Sequence, residues 1–149
     1  MLALPELCLT GYTCGDLFLQ PTLLQQAQAA LEHIRTGSHG SDLITIVGAP
    51  LLFESKLYNC AVFIQNGRFL AVVPKTYLPN YGEFYELRWF TPAPPQNDSV
   101  RISEESVPFG TRILLCCEQL PELCIAAEIC EDLWAADPPP PAMPLPAQR

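Results

Sequence analysis

The chain has 149 residues, 49% hydrophobic and 16% charged, with a formal net charge of −8. Such a length and apolar content suit one domain with its own core and argue against disorder. Eight basic residues scattered without a cluster leave no electrostatic footprint for nucleic acid or an anionic membrane.

The N-terminus, MLALPELCLTGY, has no basic n-region and soon reaches Glu6, so it does not read as a signal peptide. Within it, LALPEL (2–7) reads as a buried strand running into a loop. Gly11, Gly15 and Asp16 then break any regular pattern. TLLQQAQAALEHIR (22–35) predicts a helix: Pro21 and Thr22 open it, and Gly37 follows its end. Apolar residues recur at helical spacing at Leu23, Leu24, Ala27, Ala30, Leu31 and Ile34. LITIVGAP (43–50) is short, apolar and β-branched, and reads as a buried strand. LYNCAVFIQ (57–65) and RFLAVVP (68–74) flank Asn66-Gly67, a strong hairpin signal because both turn positions tolerate positive φ.

Residues 76–99 read as loop, with a helical turn near 83–88, and VRI (100–102) as a short strand. TRILLCC (111–117) and LCIAAEIC (123–130) read as two strands joined around Pro121. EDLW (131–134) reads as a helix start, since acids favour the first turn. Six prolines in DPPPPAMPLPAQR (137–149) rule out a helix or a central strand there. This tail reads as a solvated, disordered polyproline-like segment, with an SH3 or WW ligand as the alternative. The elements make an α/β chain of mixed pattern.

No stretch of about 18 apolar residues indicates a transmembrane helix, and the expected location is the cytoplasm. Seven cysteines in a chain without a secretion signal read as free thiols rather than a disulfide framework. There is no CxxC, and His33 and His39 lack HxxxH spacing, so no zinc site is expected.

Three polar residues lie at the ends of the expected strands: Glu6, Lys75 and Cys130. Strand ends of α/β sheets carry ligand and catalytic groups. A carboxylate within reach of a thiol can take its proton, and a lysine ammonium can favour the thiolate and stabilise an oxyanion. Taken singly, each has an ordinary reading: a salt-bridged glutamate, a solvated lysine, a small core cysteine.

PELCLTGYTCGDLF, LYNCAVFIQNGRFLAVVPKTYLPNYGEFYELRWF and EICEDLW resemble the nitrilase superfamily of carbon–nitrogen hydrolases. The resemblance is closest to the glutamine amidotransferase domain of glutamine-dependent NAD⁺ synthetases, and it covers residues 4 to about 136. It implies that Glu6 is the general base, Lys75 the triad lysine and Cys130 the nucleophile, with Glu86 as a supporting second glutamate. Tyr12, Tyr81, Phe84 and Glu131 match positions in or near the glutamine pocket, although the aromatics fit core packing equally well. The implied reaction is hydrolysis of the glutamine side-chain amide, without metal or cofactor, with ammonia passed to a synthetase domain that amidates deamido-NAD⁺ using ATP. No SGGxDS-like phosphate loop occurs in this chain. The implied fold is part of a four-layer αββα sandwich, truncated at both ends. Residues 1–136 form a partial hydrolase domain and 137–149 the tail. The full-length family is expected to be homo-oligomeric, and a half sandwich with bare apolar faces is expected to self-associate. The alternatives are another amidase of the superfamily, or an inactive fragment.

Overall fold

The computed structural model describes residues 1–138 and 143–144. These form strands β1 (Leu2–Ala3), β2 (Thr45–Phe53), β3 (Lys56–Gln65), β4 (Arg68–Pro74), β5 (Asp98–Ile102), β6 (Glu105–Phe109), β7 (Ile113–Cys116), β8 (Cys124–Ile125) and β9 (Met143–Pro144). Helix α1 spans Pro21–Gly37, a one-turn helix α2 spans Glu131–Trp134, and 3₁₀ turns cover Gly15–Leu19 and Glu86–Arg88. One sheet runs β1-β2-β3-β4-β6-β5, and a second, small sheet runs β8-β7-β9. The large sheet is mixed: β1 is parallel to β2 and β4 to β6, and the other pairs are antiparallel.

Side-chain alternation along β3 builds the layers, because successive residues of a strand point to opposite faces. Tyr58, Cys60, Val62 and Ile64 join the core that includes Leu31 of α1. Ala61 and Phe63 join Ala71 and Val73 on the other face, where they meet Ile113 and Ile129. The result is three layers: helix, large sheet, small sheet. Both faces of β3 are covered, which explains a nearly continuous apolar run. Burying each such Val, Leu or Phe stabilises the fold by about 1.5–3 kcal/mol. A third cluster, Leu7, Phe18, Leu57 and Phe90, underlies the loops that carry polar groups.

The Asn66-Gly67 hairpin forms as expected, with φ of 46° and 75°. A second two-residue turn, Glu54-Ser55, joins β2 to β3 with φ of 48° and 62°, without a glycine or asparagine to announce it. β6 was not foreseen, because Pro108 and two glutamates interrupt ESVPF and the residue before it. LALPEL is a strand only at Leu2–Ala3, both exposed, since the chain turns at Pro5. LCIAAEIC is a strand only at Cys124–Ile125. Cys116 and Cys124 are register partners in β7 and β8 and form a disulfide, which corrects the expectation of free thiols throughout. Pairing across two strands is invisible to a count of cysteines. The tail lies outside the described residues except for its first two and Met143–Pro144, whose backbone pairs with β7 as an edge strand. Among the described residues, no helix is long and apolar enough to cross a membrane.

Candidate active site

Glu6 sits in the turn that leaves β1, and its position depends on β2. At Gly48 a Cβ would overlap Leu7 N and Pro5 O, so the missing side chain lets the Glu6 turn lie directly on the strand. Leu7, fully buried with φ of 51°, anchors the turn from below. Lys75 directly follows β4. Its N–H donates to Asn59 O (2.8 Å) and its carbonyl accepts from Ala93 N–H (2.9 Å). Glu86 begins the second 3₁₀ turn, with its N–H donating to Pro79 O (3.2 Å). Cys130 is exposed and precedes α2 with φ 49° and ψ −101°, a costly conformation that surrounding structure must hold.

These elements converge on the lysine. Lys75 is 0% exposed, and Nζ donates to Glu6 Oε1 and Glu86 Oε1, each at 2.7 Å. Asn59 Nδ2 donates to the same Glu6 oxygen at 2.6 Å, and Tyr12 OH to the same Glu86 oxygen at 2.7 Å. The lysine thus uses two of its three donors. Glu6, Asn59 and Cys130 share the wall of a cavity of about 340 Å³. A larger cavity, about 580 Å³, lies elsewhere among Phe18, Leu24, Leu51, Leu57 and Trp89 and contains none of the expected site residues.

Opposing forces set the protonation of the cluster. Burial pulls the Lys75 ammonium down, but hydrogen bonds and charge from Glu6 and Glu86 together outweigh it and leave its pKa raised. Burial holds the Glu86 carboxyl above its ordinary range despite Lys75 and Tyr12. Burial also raises the Cys130 thiol, aided by the charges of Glu6 and Glu86, while Lys75 and the Glu131 N–H pull it down. The net shift is upward. Lys75 favours the thiolate, as the sequence suggests, but burial first and then the two carboxylates outweigh it.

The expected pocket residues form a chain along one side. Phe84 packs edge-on against both Tyr12 (6.3 Å between centroids) and Tyr81 (5.9 Å). Tyr81 OH donates to both carboxylate oxygens of Glu131 at 3.1 Å. All eight expected residues therefore belong to one neighbourhood, although of the three strand-end assignments only Lys75 directly abuts a strand. Sequence reasoning missed Asn59 and Asp132. Asn59 interrupts the apolar run LYNCAVFIQ and is 1% exposed. A polar residue in a buried strand needs a partner, and that was its signal. Asp132 is 2% exposed and accepts backbone N–H groups from Thr76 (3.0 Å), Tyr77 (2.8 Å) and Ile129 (3.3 Å). Among the described residues no group of three or more His, Cys, Asp or Glu is placed to hold a metal ion.

The family model for carbon–nitrogen hydrolases matches residues 1–137. The chain belongs to the carbon–nitrogen hydrolase family. Within this family it is similar to the glutamine-dependent NAD(+) synthetase of Mycobacterium tuberculosis, at 42% identity over 135 residues, covering 91% of this chain and 20% of the relative. The hydrolase chain thus spans about a fifth of the length of the curated relatives it matches. The crystal structure of a glutamine-dependent NAD(+) synthetase from Cytophaga hutchinsonii superposes with a TM-score of 0.69 at 30% identity, over 76% of this chain and 21% of that one. A synthetase from Acinetobacter baumannii, solved with ADP, superposes at 0.61 with 28% identity, over 89% and 21%.

Proposed function

We propose that this hydrolase chain cleaves the side-chain amide of glutamine, with Cys130 as nucleophile, Glu6 as general base, Lys75 as the triad lysine and Glu86 as its support. The observation that carries the reading is a fully buried lysine between two carboxylates, one of which, Glu6, shares a cavity wall with a cysteine in a strained turn. Glu6 Oε1 is engaged by Lys75 and Asn59, which leaves Oε2 to take the thiol proton. Cys130 Sγ then bonds to the amide carbon, and the carbonyl electron pair moves onto oxygen. The third Nζ–H of Lys75 and backbone N–H groups, with that of Glu131 foremost, stabilise this oxyanion. As it collapses, the C–N bond breaks, Glu6 returns the proton to nitrogen, and ammonia leaves a glutamyl thioester. Water, deprotonated by Glu6, attacks the thioester and releases glutamate and the thiol. A raised thiol pKa suits this sequence, because the proton moves to Glu6 as the attack proceeds.

In this reading Tyr12, Tyr81, Phe84 and Glu131 line or border the glutamine pocket. In the longer relatives the ammonia would serve amidation of deamido-NAD⁺, with ATP and deamido-NAD⁺ bound outside this chain, in the cytoplasm. The three layers fit part of a four-layer αββα sandwich. Exposed Leu133 (61%) and Trp134 (74%) support self-association of the isolated chain.

Glutamate release by the purified chain tests the reading. Cys130→Ala should lower it by about a thousandfold or more, as loss of a nucleophile does. Equal release by both proteins, or none by the unmodified chain, would overturn it. Faster turnover of a simple aliphatic amide than of glutamine would make the chain a different amidase of the superfamily.

A further inference from the structure

We propose that Asp132 is a positioning residue that holds the main chains carrying Lys75 and Cys130 in fixed register, an inference that rests on the glutaminase reading. Its Oδ1 accepts from Thr76 and Tyr77, the two residues after Lys75, and its Oδ2 from Ile129, the residue before Cys130. Among the described residues, no other hydrogen bond joins 75–77 to 129–134. The carboxylate is buried and makes no ion pair among the described residues. Its hydrogen bonds all come from backbone N–H groups, so its bonded partners are main-chain positions rather than another side chain. Burial holds the carboxyl above its ordinary range, while these bonds and the charge of Lys75 oppose that rise.

The same carboxylate helps explain how Cys130 keeps φ 49° and ψ −101°. Asp132 N–H donates to Ile129 O (3.1 Å) while Ile129 N–H donates to Asp132 Oδ2, closing a ring around the cysteine, and Leu133 N–H donates to Cys130 O (3.1 Å). A strained backbone persists only where such contacts over-determine it. The residue type follows from the bonding. Asparagine would turn an NH₂ toward N–H groups on one side or the other, and glutamate is one methylene too long for both sides at once.

The test uses Asp132→Asn and Asp132→Ala in the full chain, with the diazoketone analogue of glutamine as an affinity label read by mass spectrometry. The unmodified chain should label saturably at Cys130. In the Asn variant the limiting rate of inactivation should fall by about tenfold to a hundredfold, the cost of misplacing a reacting group by about an ångström. The half-saturating concentration should stay within about twofold, and Ala should be slower than Asn, in line with the acceptors each retains. Amide exchange at Thr76 and Tyr77 should accelerate in both variants. Buried Cys60, 1% exposed, is the internal control and should stay unreactive toward iodoacetamide. If the Asn variant keeps the limiting rate, or changes only the half-saturating concentration, the positioning role is overturned and the glutaminase reading survives. If Cys60 becomes reactive in step with the loss, Asp132 is a folding determinant and the positioning role is overturned. If the unmodified chain does not label Cys130 selectively, the glutaminase reading fails, and the inference with it.

Discussion

Replacing Lys75 with methionine keeps roughly the length of the side chain and removes its charge. Glu6 retains Asn59 and Glu86 retains Tyr12, but both carboxylates lose their counter-ion. Glu6 is partly open to solvent, with 18% of its side chain exposed, whereas Glu86 is 1% exposed, so Glu86 bears the cost. Its alternatives at pH 7 are to stay ionised without a cation or to take up a proton. From the ordinary value of 4.5, protonation at pH 7 costs about 3 kcal/mol, at about 1.4 kcal/mol per pH unit. That figure caps the penalty and lies at the lower end of the range of about 3–5 kcal/mol for a broken buried ion pair. At pH 5 the same protonation costs less than about 1 kcal/mol.

The sign follows from proton binding. A carboxyl whose folded pKa is raised holds more protons folded than unfolded, so stability falls as pH rises above 4.5 toward the folded value. Urea denaturation of Lys75→Met should therefore show a loss of about 3 kcal/mol at pH 7 that shrinks below about 1 kcal/mol at pH 5. An equal loss at both pH values would refute this account, because it would mean that Glu86 does not become the protonated group.

Two further outcomes follow from the site. Burial first, then the charges of Glu6 and Glu86, raise the Cys130 thiol above 9.0, so its alkylation by iodoacetamide should still accelerate above pH 9; a plateau already at pH 8 would contradict this. Gly48→Ala places a methyl against the backbone of Pro5 and Leu7, which cannot yield as a flexible side chain would. It should cost about 1–3 kcal/mol in urea melts and reduce glutamate release more than tenfold by displacing Glu6; a fully active variant would show that the turn tolerates the shift.

Local chemistry made part of this molecule legible. The α1 periodicity and the Asn66-Gly67 turn are encoded within a few residues, and both appear close to where the pattern put them. The Glu54-Ser55 turn and β6 are not encoded that way. Two non-glycine residues hold positive φ at that turn because β2 and β3 pair along their whole length, and β6 forms because β4 and β5 flank it. Chemistry and family resemblance singled out Glu6, Lys75 and Cys130, and the fold brings Glu6 against Lys75 and onto the cavity wall that Cys130 shares. Their partners were less legible. Asn59 looked like one polar residue in a strand and Asp132 like a helix-start acid, because each ties in a residue more than fifty positions away. The pull of Lys75 toward the Cys130 thiolate is as the sequence suggests, but the burial that outweighs it is a property of the packed chain and is not displayed in the sequence.

The bonds that assemble this site span 53 residues from Asn59 to Glu6, 69 from Lys75 to Glu6 and 56 from Thr76 to Asp132. Such contacts pay their loop-closure cost before they return any stability, and they form slowly. During synthesis from the N-terminus, Glu6, Lys75 and Glu86 emerge first, and Cys130 only later. Under the proposed function, a chain made only part-way would carry the proposed base and lysine without the proposed nucleophile, and so would have no complete centre with which to attack amides. Stoichiometric labelling of Cys130 would then count finished molecules rather than merely soluble ones.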